Sequence, residues 1–185
     1  MNKIVLIVGS TRTGSFNQQL ADVIRKIVGN RAEVGQLAYD DVPFMNQDIE
    51  WPTPDAVARA RGELAAADGI WIVTPEYNGF MPALPKNLLD WMSRPMEQGS
   101  AVTAVGEKPV VMSGAGGRRA AAGALEECAR ICTSIHMDVV GPEPVGVAIG
   151  KGYGTGVLEV NDEDRERLAA QAEALLAAMD EERRA

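Results

Sequence analysis

The sequence predicts an α/β protein built on an open, doubly wound parallel sheet. Two observations carry this prediction: short Val- and Ile-rich runs are apolar throughout, and most are followed by a stretch with helical spacing of apolar residues. Strands that are apolar on both faces belong to a sheet covered by helices on both sides. A length of 185 residues suits one core. We therefore expect a single domain over residues 1–185.

The predicted strands and helices alternate along the chain. Strands are expected at residues 3–9, 32–38, 69–74, 108–113 and 138–148. The first helix is marked by apolar residues three and four apart, namely Leu20, Val23, Ile24, Ile27 and Val28. Four further helices are expected over 54–66, 84–93, 117–134 and 162–180. The last one has Asn161 as its cap, acidic residues at its start, and Arg183 and Arg184 at its far end.

Composition excludes several classes of partner. The formal net charge of −8 argues against nucleic acid or an anionic membrane. The apolar runs fall far short of the ~20 residues of a membrane helix, and the first ten residues are too short and wrongly flanked for a signal peptide. We expect a cytoplasmic protein whose partner is a small molecule.

The cysteines and the single histidine carry little functional signal. Cys128 and Cys132 lie four residues apart, on one face of a predicted helix. We interpret them as buried, reduced apolar residues, since helical neighbours rarely meet disulfide geometry; a redox-active pair is the alternative. His136 lies at a strand entrance, where a structural role is expected. No other ligand-type residues stand at metal spacing, so no metal site is predicted.

The loop after the first strand, "VGSTRTGSFN" at residues 8–17, is rich in hydroxyl groups and contains one arginine. It matches neither the dinucleotide fingerprint nor the Walker loop. Ser15 with Gln18 fits a capping box, so a plain helix cap is one interpretation of Ser15. A cap leaves Arg12 unexplained. Ser10, Ser15 and Arg12 at a helix N-terminus would form a phosphate cradle.

The loops after the third and fourth strands should lie at the same sheet edge as the first, because ligands bind at the carboxyl ends of parallel strands. Asn78-Gly79 is a turn signal in any case, but "PEYN" at 75–78 adds a flat aromatic face beside hydrogen-bonding groups. That combination suits a planar heteroaromatic ligand. In "SGAGGRRAAAG", four small residues from Ser113 to Gly116 permit close backbone approach, and the next helix offers N–H donors.

A further glycine-rich stretch, "IGKGYGTG" at 149–156, follows the last strand. Its glycines look like those of a phosphate loop, but no helix is predicted to begin there. We interpret it as a flexible connection and assign no site residue to it.

Taken together, "GSTRTGSFNQQLA", "DGIWIVTPEYNGFMPALPKNLLDWMSRP" and "GEKPVVMSGAGGRRA" resemble the flavodoxin-like NADPH-dependent FMN reductase family. The resemblance implies a three-layer α/β sandwich with strand order 2-1-3-4-5. It implies that the FMN phosphate is held by Ser10, Arg12, Ser15, Phe16 and Asn17. The isoalloxazine ring would meet Pro75, Glu76, Tyr77 and Asn78 on one side, and Ser113, Gly114, Gly116 and Gly117 at its other edge.

The resemblance also implies an activity. FMN would take hydride from NADH or NADPH and pass electrons to a quinone, azo dye, metal oxyanion or flavin, with no side chain assigned a catalytic role. A flavodoxin-type electron carrier and a flavin-free regulatory domain are the alternatives. A homodimer or homotetramer is implied as well, and apolar residues beside the second loop would fit such a contact unless they pack internally: Phe80, Met81, Trp91, Met92 and Met96.

Overall fold

The computed structural model describes residues 1–182, in which strands and helices alternate as expected. The strands are β1 (Lys3–Val8), β2 (Glu33–Gln36), β3 (Gly69–Val73), β4 (Pro109–Gly116), β5 (Asp138–Val139) and β6 (Val145–Ala148). The helices are α1 (Phe16–Val28), α2 (Asp55–Ala65), α3 (Ala83–Met92), α4 (Ala122–Ser134), α5 (Gly152–Thr155) and α6 (Asp162–Glu182), and a short 3-10 helix covers Gln47–Ile49.

The sheet is parallel, and its order β2-β1-β3-β4-β5 confirms the predicted one. The predicted fifth strand over 138–148 is wrong in one respect, because it is two short strands that both pair with β4. β5 pairs at Val110, whereas β6 pairs at Ser113 and beyond. Pro142 and Pro144 lie between the two strands. Proline has no N–H for a ladder hydrogen bond, so pairing stops and resumes further along.

Both faces of the sheet are covered, as the continuous apolar strands predict. In β3, Ile70 and Ile72 pack toward α2, α3 and α4, while Trp71 and Val73 pack toward α1 and α6. All four side chains are fully buried. The alternation follows from the two-residue period of a strand, which sends successive side chains to opposite faces.

The N-terminus of α6 is capped as the sequence predicts. Asp164 donates its backbone N–H to Asn161 Oδ1 at 2.8 Å, which confirms Asn161 as the N-terminal cap. The predicted basic pair at the other end, Arg183 and Arg184, lies outside the described residues.

Strand β4 is longer than predicted, and helix α4 is shorter. Ser113–Gly116 belongs to β4 and pairs with β6. A Cβ on Gly114 would meet the carbonyl oxygen of Thr74, so only glycine permits this close strand approach. Helix α4 begins at Ala122 and not near 117, because Ala120 and Ala121 are left-handed, with φ of 48° and 60°. The third loop is therefore residues 117–121.

Candidate functional site

Four segments at the carboxyl edge of the sheet surround a cavity of about 410 Å³, a volume typical of small-molecule sites. They are the loops after β1, β3 and β4 and the segment after β6. The sequence-predicted residues that line the cavity are Ser10, Arg12, Ser15, Phe16, Asn17, Pro75, Glu76, Tyr77, Gly116 and Gly117. The fold thus brings the three predicted loops together where parallel sheets bind ligands.

The first loop is anchored where it leaves β1 and leads directly into α1. Buried Tyr39 donates its hydroxyl to the Val8 carbonyl at 2.8 Å, and its burial raises its pKa. Ser15 caps α1, since its Oγ accepts the N–H of Asn17 at 3.2 Å. The reciprocal half of the predicted capping box is wrong, because the Gln18 amide bonds with Asp22 and Gln36 instead.

Arg12 places a positive charge at the N-terminus of α1. Its guanidinium donates to the carbonyls of Thr13 at 3.1 Å and Gly14 at 2.8 Å, and lies 5.3 Å from the centre of the Phe16 ring. No carboxylate in residues 1–182 forms an ion pair with it. An unneutralised cation next to a helix N-terminus favours an anionic ligand.

Asn17 joins the first loop to the end of β4. Its side chain is buried, donating to the Ala115 carbonyl at 3.0 Å and accepting the Ala115 N–H at 2.9 Å. Both functions of the amide are therefore used within the protein. Asn17 lines the cavity and fixes the distance between two of its walls.

The second loop presents an aromatic side chain on a tight turn. Tyr77 and Phe80 exchange backbone hydrogen bonds of 3.0 and 3.1 Å across Asn78 and Gly79, both of which have positive φ. Positive φ at both central positions defines a type I′ turn, the rigid hairpin connection. Tyr77 is 53 % exposed and lines the cavity, whereas Asn78 lies at the tip of the turn and does not.

Two carboxylates tie this loop to α4. Glu76 Oε2 accepts the N–H groups of Gly123 at 2.6 Å and Ala124 at 3.2 Å. In the opposite direction, Glu127 Oε2 accepts the N–H of Met81 at 2.6 Å. The N–H donors that the sequence offered to a ligand at the start of α4 are therefore occupied by Glu76, a carboxylate at a helix N-terminus.

Ser113 and Gly114 lie within β4 and do not line the cavity. Ser113 is fully buried: its Oγ accepts from Trp71 Nε1 at 3.0 Å and donates to Gln171 Oε1 at 2.7 Å. The ring-edge role expected of these two residues is not supported, because the strand continues three residues past the predicted end.

The segment over 149–156 corrects the expectation of a flexible connection. It forms the short helix α5 and is bound to α1, where Gln19 donates to the Gly156 carbonyl at 2.9 Å and accepts the Leu158 N–H at 2.8 Å. Ile149, Tyr153 and Gly156 line the cavity, as does Ala115. Sequence reasoning missed these four residues; the one available signal was an isolated tyrosine among alternating glycines.

The cysteines and histidine lie away from the cavity. Cys128 and Cys132 are free thiols buried in the core beneath α4, and their mutual hydrogen bond and their burial raise the pKa of Cys128. His136 is exposed at the opposite end of β4. Among residues 1–182, no three His, Cys, Asp or Glu side chains are grouped to hold a metal ion, and no helix is long and apolar enough to cross a membrane.

The strand order and the cavity at the carboxyl edge define a flavodoxin-like α/β protein. The chain belongs to the NADPH-dependent FMN reductase family, whose sequence model matches residues 2–152.

Similar proteins agree with this assignment. The chain is 40 % identical over 96 residues to a 2-hydroxy-1,4-benzoquinone reductase of a Burkholderia species, and 37 % identical over 99 residues to the quinone reductase of Escherichia coli K12. The chain spans about half the length of these relatives, 52 % and 53 % respectively, and 52 % of its own length is aligned in each case.

Solved structures show the same fold. The flavoenzyme NAD(P)H:(acceptor) oxidoreductase FerB from Paracoccus denitrificans superposes with a TM-score of 0.82 at 24 % identity, covering 98 % of each chain. Flavodoxin 2 from Bacillus cereus superposes with a TM-score of 0.61 at 17 % identity, covering 97 % of this chain and 99 % of its own.

Proposed function

We propose that this protein is an FMN-dependent NAD(P)H oxidoreductase that acts as one domain. The observation that carries the proposal is the polarity of the cavity. Its lining combines Arg12, which lies at a helix N-terminus and forms no ion pair within residues 1–182, with Tyr77, an exposed aromatic residue on a rigid turn. A ligand with an anionic group and a planar ring matches both residues at once.

The residues present fit FMN. Arg12, Ser10 and the α1 N-terminus would hold its phosphate. Within residues 1–182, Arg12 forms no ion pair with a carboxylate, and the N–H groups of Phe16 and Gln18 make no hydrogen bond. Tyr77 would lie against the ring, and Gly116 and Gly117 permit its other edge to approach the backbone. The chemistry that FMN supplies when bound is hydride acceptance from reduced nicotinamide and electron delivery to a second substrate.

The chain's own residues would act by binding and orientation. Glu76 and Glu127 hold the turn at Asn78 and Gly79 against α4, which would keep Tyr77 beside the isoalloxazine ring. Asn17 keeps the first loop at a constant distance from β4. Holding two reactants at a defined separation is a major source of rate acceleration. No side chain is required to transfer a proton.

Anaerobic stopped-flow spectroscopy of the FMN-loaded protein tests this proposal. We expect NADH or NADPH to bleach the flavin absorbance directly, in one transition between two spectral species. A flavodoxin-type carrier is the other candidate, favoured by the acidic composition and by the flavodoxin fold. Absence of bleaching by both nucleotides, with a third spectral species on stepwise chemical reduction, would favour the carrier.

A panel of acceptors then defines the second substrate. Because the relatives are named for quinones, a benzoquinone is the first acceptor to test, followed by an azo dye, chromate and free flavin. NADH and NADPH should be compared with each acceptor.

We further propose a homodimer or homotetramer that works in the cytoplasm. Of the residues expected at the contact, Phe80 is 59 % exposed and lies on the same turn as Tyr77, which supports an interface there. Met81, Trp91 and Met92 pack internally and give no such support. A monomeric mass by light scattering at micromolar concentration would contradict the assembly.

A further inference from the structure

Tyr153 lies between two walls of the cavity that carry different parts of the proposed ligand. Its ring meets the Phe16 ring of the first loop edge-on, with centroids 5.9 Å apart and planes at 81°. Its hydroxyl lies 3.6 Å from where a Cβ on Gly117 of the third loop would be. A ligand that runs from the first loop to the third must therefore pass beside the Tyr153 ring.

Within residues 1–182, the Tyr153 ring packs edge-on against Phe16 and is otherwise largely exposed. It is 67 % exposed, although it lines the cavity. Phe16 contacts both Tyr153 and the Arg12 guanidinium, which lies 5.3 Å from the centroid of the Phe16 ring. An exposed aromatic face beside a cavity gains contact and loses water when a ligand arrives.

The backbone that carries Tyr153 is fixed. Gly152 donates to the Ile149 carbonyl and Gly156 to the Gly152 carbonyl, both at 2.8 Å. Gln19 binds both sides of the end of this segment, at Gly156 and Leu158. A Cβ on Gly152 would lie 2.7 Å from the Val157 carbonyl oxygen, so the helix is packed closely against its neighbour. The segment is therefore held in place by its own hydrogen bonds, by Gln19 and by close packing.

We propose that Tyr153 is a cofactor-binding residue that covers the ribityl chain of FMN and sets the rate of its release. The inference rests on the proposed function. With the phosphate at the first loop and the ring between the second and third loops, the ribityl chain occupies the stretch that Tyr153 covers.

The test compares flavin release from wild type, Tyr153→Ala and Tyr153→Phe, with Val157→Ala as the matched control. Val157 directly follows this segment, and its side chain is exposed and does not line the cavity. FMN release is followed by the recovery of free-flavin fluorescence after dilution. We expect Tyr153→Ala to release FMN roughly five- to tenfold faster. Tyr153→Phe and Val157→Ala should stay within about twofold of wild type, since the ring contact is kept in both.

Riboflavin provides the second arm, because it has the ring and ribityl chain without the phosphate. Tyr153→Ala should accelerate the release of riboflavin and FMN by the same factor. Three results would overturn the role of Tyr153 while the proposed function stands. They are unchanged FMN release in Tyr153→Ala, faster release of FMN but not of riboflavin in that variant, and an equal acceleration in Val157→Ala. Failure of wild-type apoprotein to bind either flavin would refute the proposed function and this inference together.

Discussion

Two polar regions of this protein treat their hydrogen-bonding groups in opposite ways. In the interior, Ser113, Trp71 and Gln171 join β3, β4 and α6 through hydrogen bonds of 2.7 to 3.0 Å, and Gln171 also donates to the Met112 carbonyl at 2.9 Å. At the cavity, Arg12 and Tyr77 are exposed, and neither is paired with a charged partner among residues 1–182.

Paired polar groups in the interior hold the fold, and exposed polar groups at the cavity are available to a ligand. Leaving a buried polar group unpaired costs about 1–3 kcal/mol, so most buried polar groups are hydrogen-bonded, as Ser113 and Gln171 are here. Polar groups at the cavity can hold unused hydrogen-bonding capacity, since water satisfies them until a ligand arrives. Changes in the interior should therefore lower stability, and changes at the cavity should lower affinity.

The largest effect is expected in the interior. Gln171→Leu removes the acceptor of Ser113 and the donor to Met112, and should lower the free energy of unfolding by about 2–3 kcal/mol. Denaturant unfolding of the apoprotein measures it. Gln98→Leu, at an exposed loop position, is the control and should stay within about 0.5 kcal/mol of wild type. A weakened FMN affinity in folded Gln171→Leu protein would contradict the expectation that interior changes affect stability and not binding.

A somewhat smaller effect is expected at the phosphate end of the cavity. Arg12→Ala removes one charged partner of the phosphate and should weaken FMN binding by about 1.5–3 kcal/mol, roughly tenfold or more. Fluorescence titration of the apoprotein measures the affinity. Riboflavin affinity should change little, because riboflavin has no phosphate. Full FMN affinity in Arg12→Ala would show that the first loop is not the phosphate site; Arg130→Ala, an exposed arginine outside the cavity, is the matched control.

The smallest effect is expected at the contact between the second loop and α4. Glu127→Gln weakens the bond to the Met81 N–H that holds the second loop on α4, and should reduce FMN affinity by about 1 kcal/mol, or roughly fivefold. The neighbouring Glu126→Gln is the control, since Glu126 is exposed and makes no such bond among the described residues. Titration with riboflavin should show the same loss, because the second loop lies at the ring end. Wild-type affinity for both flavins would mean that the turn is rigid without Glu127.

The sheet, its helical cover and three of the four segments around the cavity follow from the amino-acid sequence alone. Continuous apolar strands require two covered faces, and "TRTGSFN" and "PEYN" carry chemistry that a plain turn does not need. Such patterns can be recognised in the sequence because each one depends on residues that are close together in the chain.

Three features depend on tertiary contacts: the end of β4, the polar groups that remain available to a ligand, and the segment after β6 that forms the fourth wall of the cavity. The sequence suggests that Ser113 ends its strand and begins a loop. In the structure β6 pairs beside it, and Gln171, 58 residues away in sequence, accepts a hydrogen bond from its hydroxyl. Glu76 occupies the N-terminus of α4 that the sequence left open for a ligand. Tyr153 reaches the cavity because Gln19 holds the end of its segment against α1. These outcomes depend on contacts between distant parts of the chain, which no local pattern encodes.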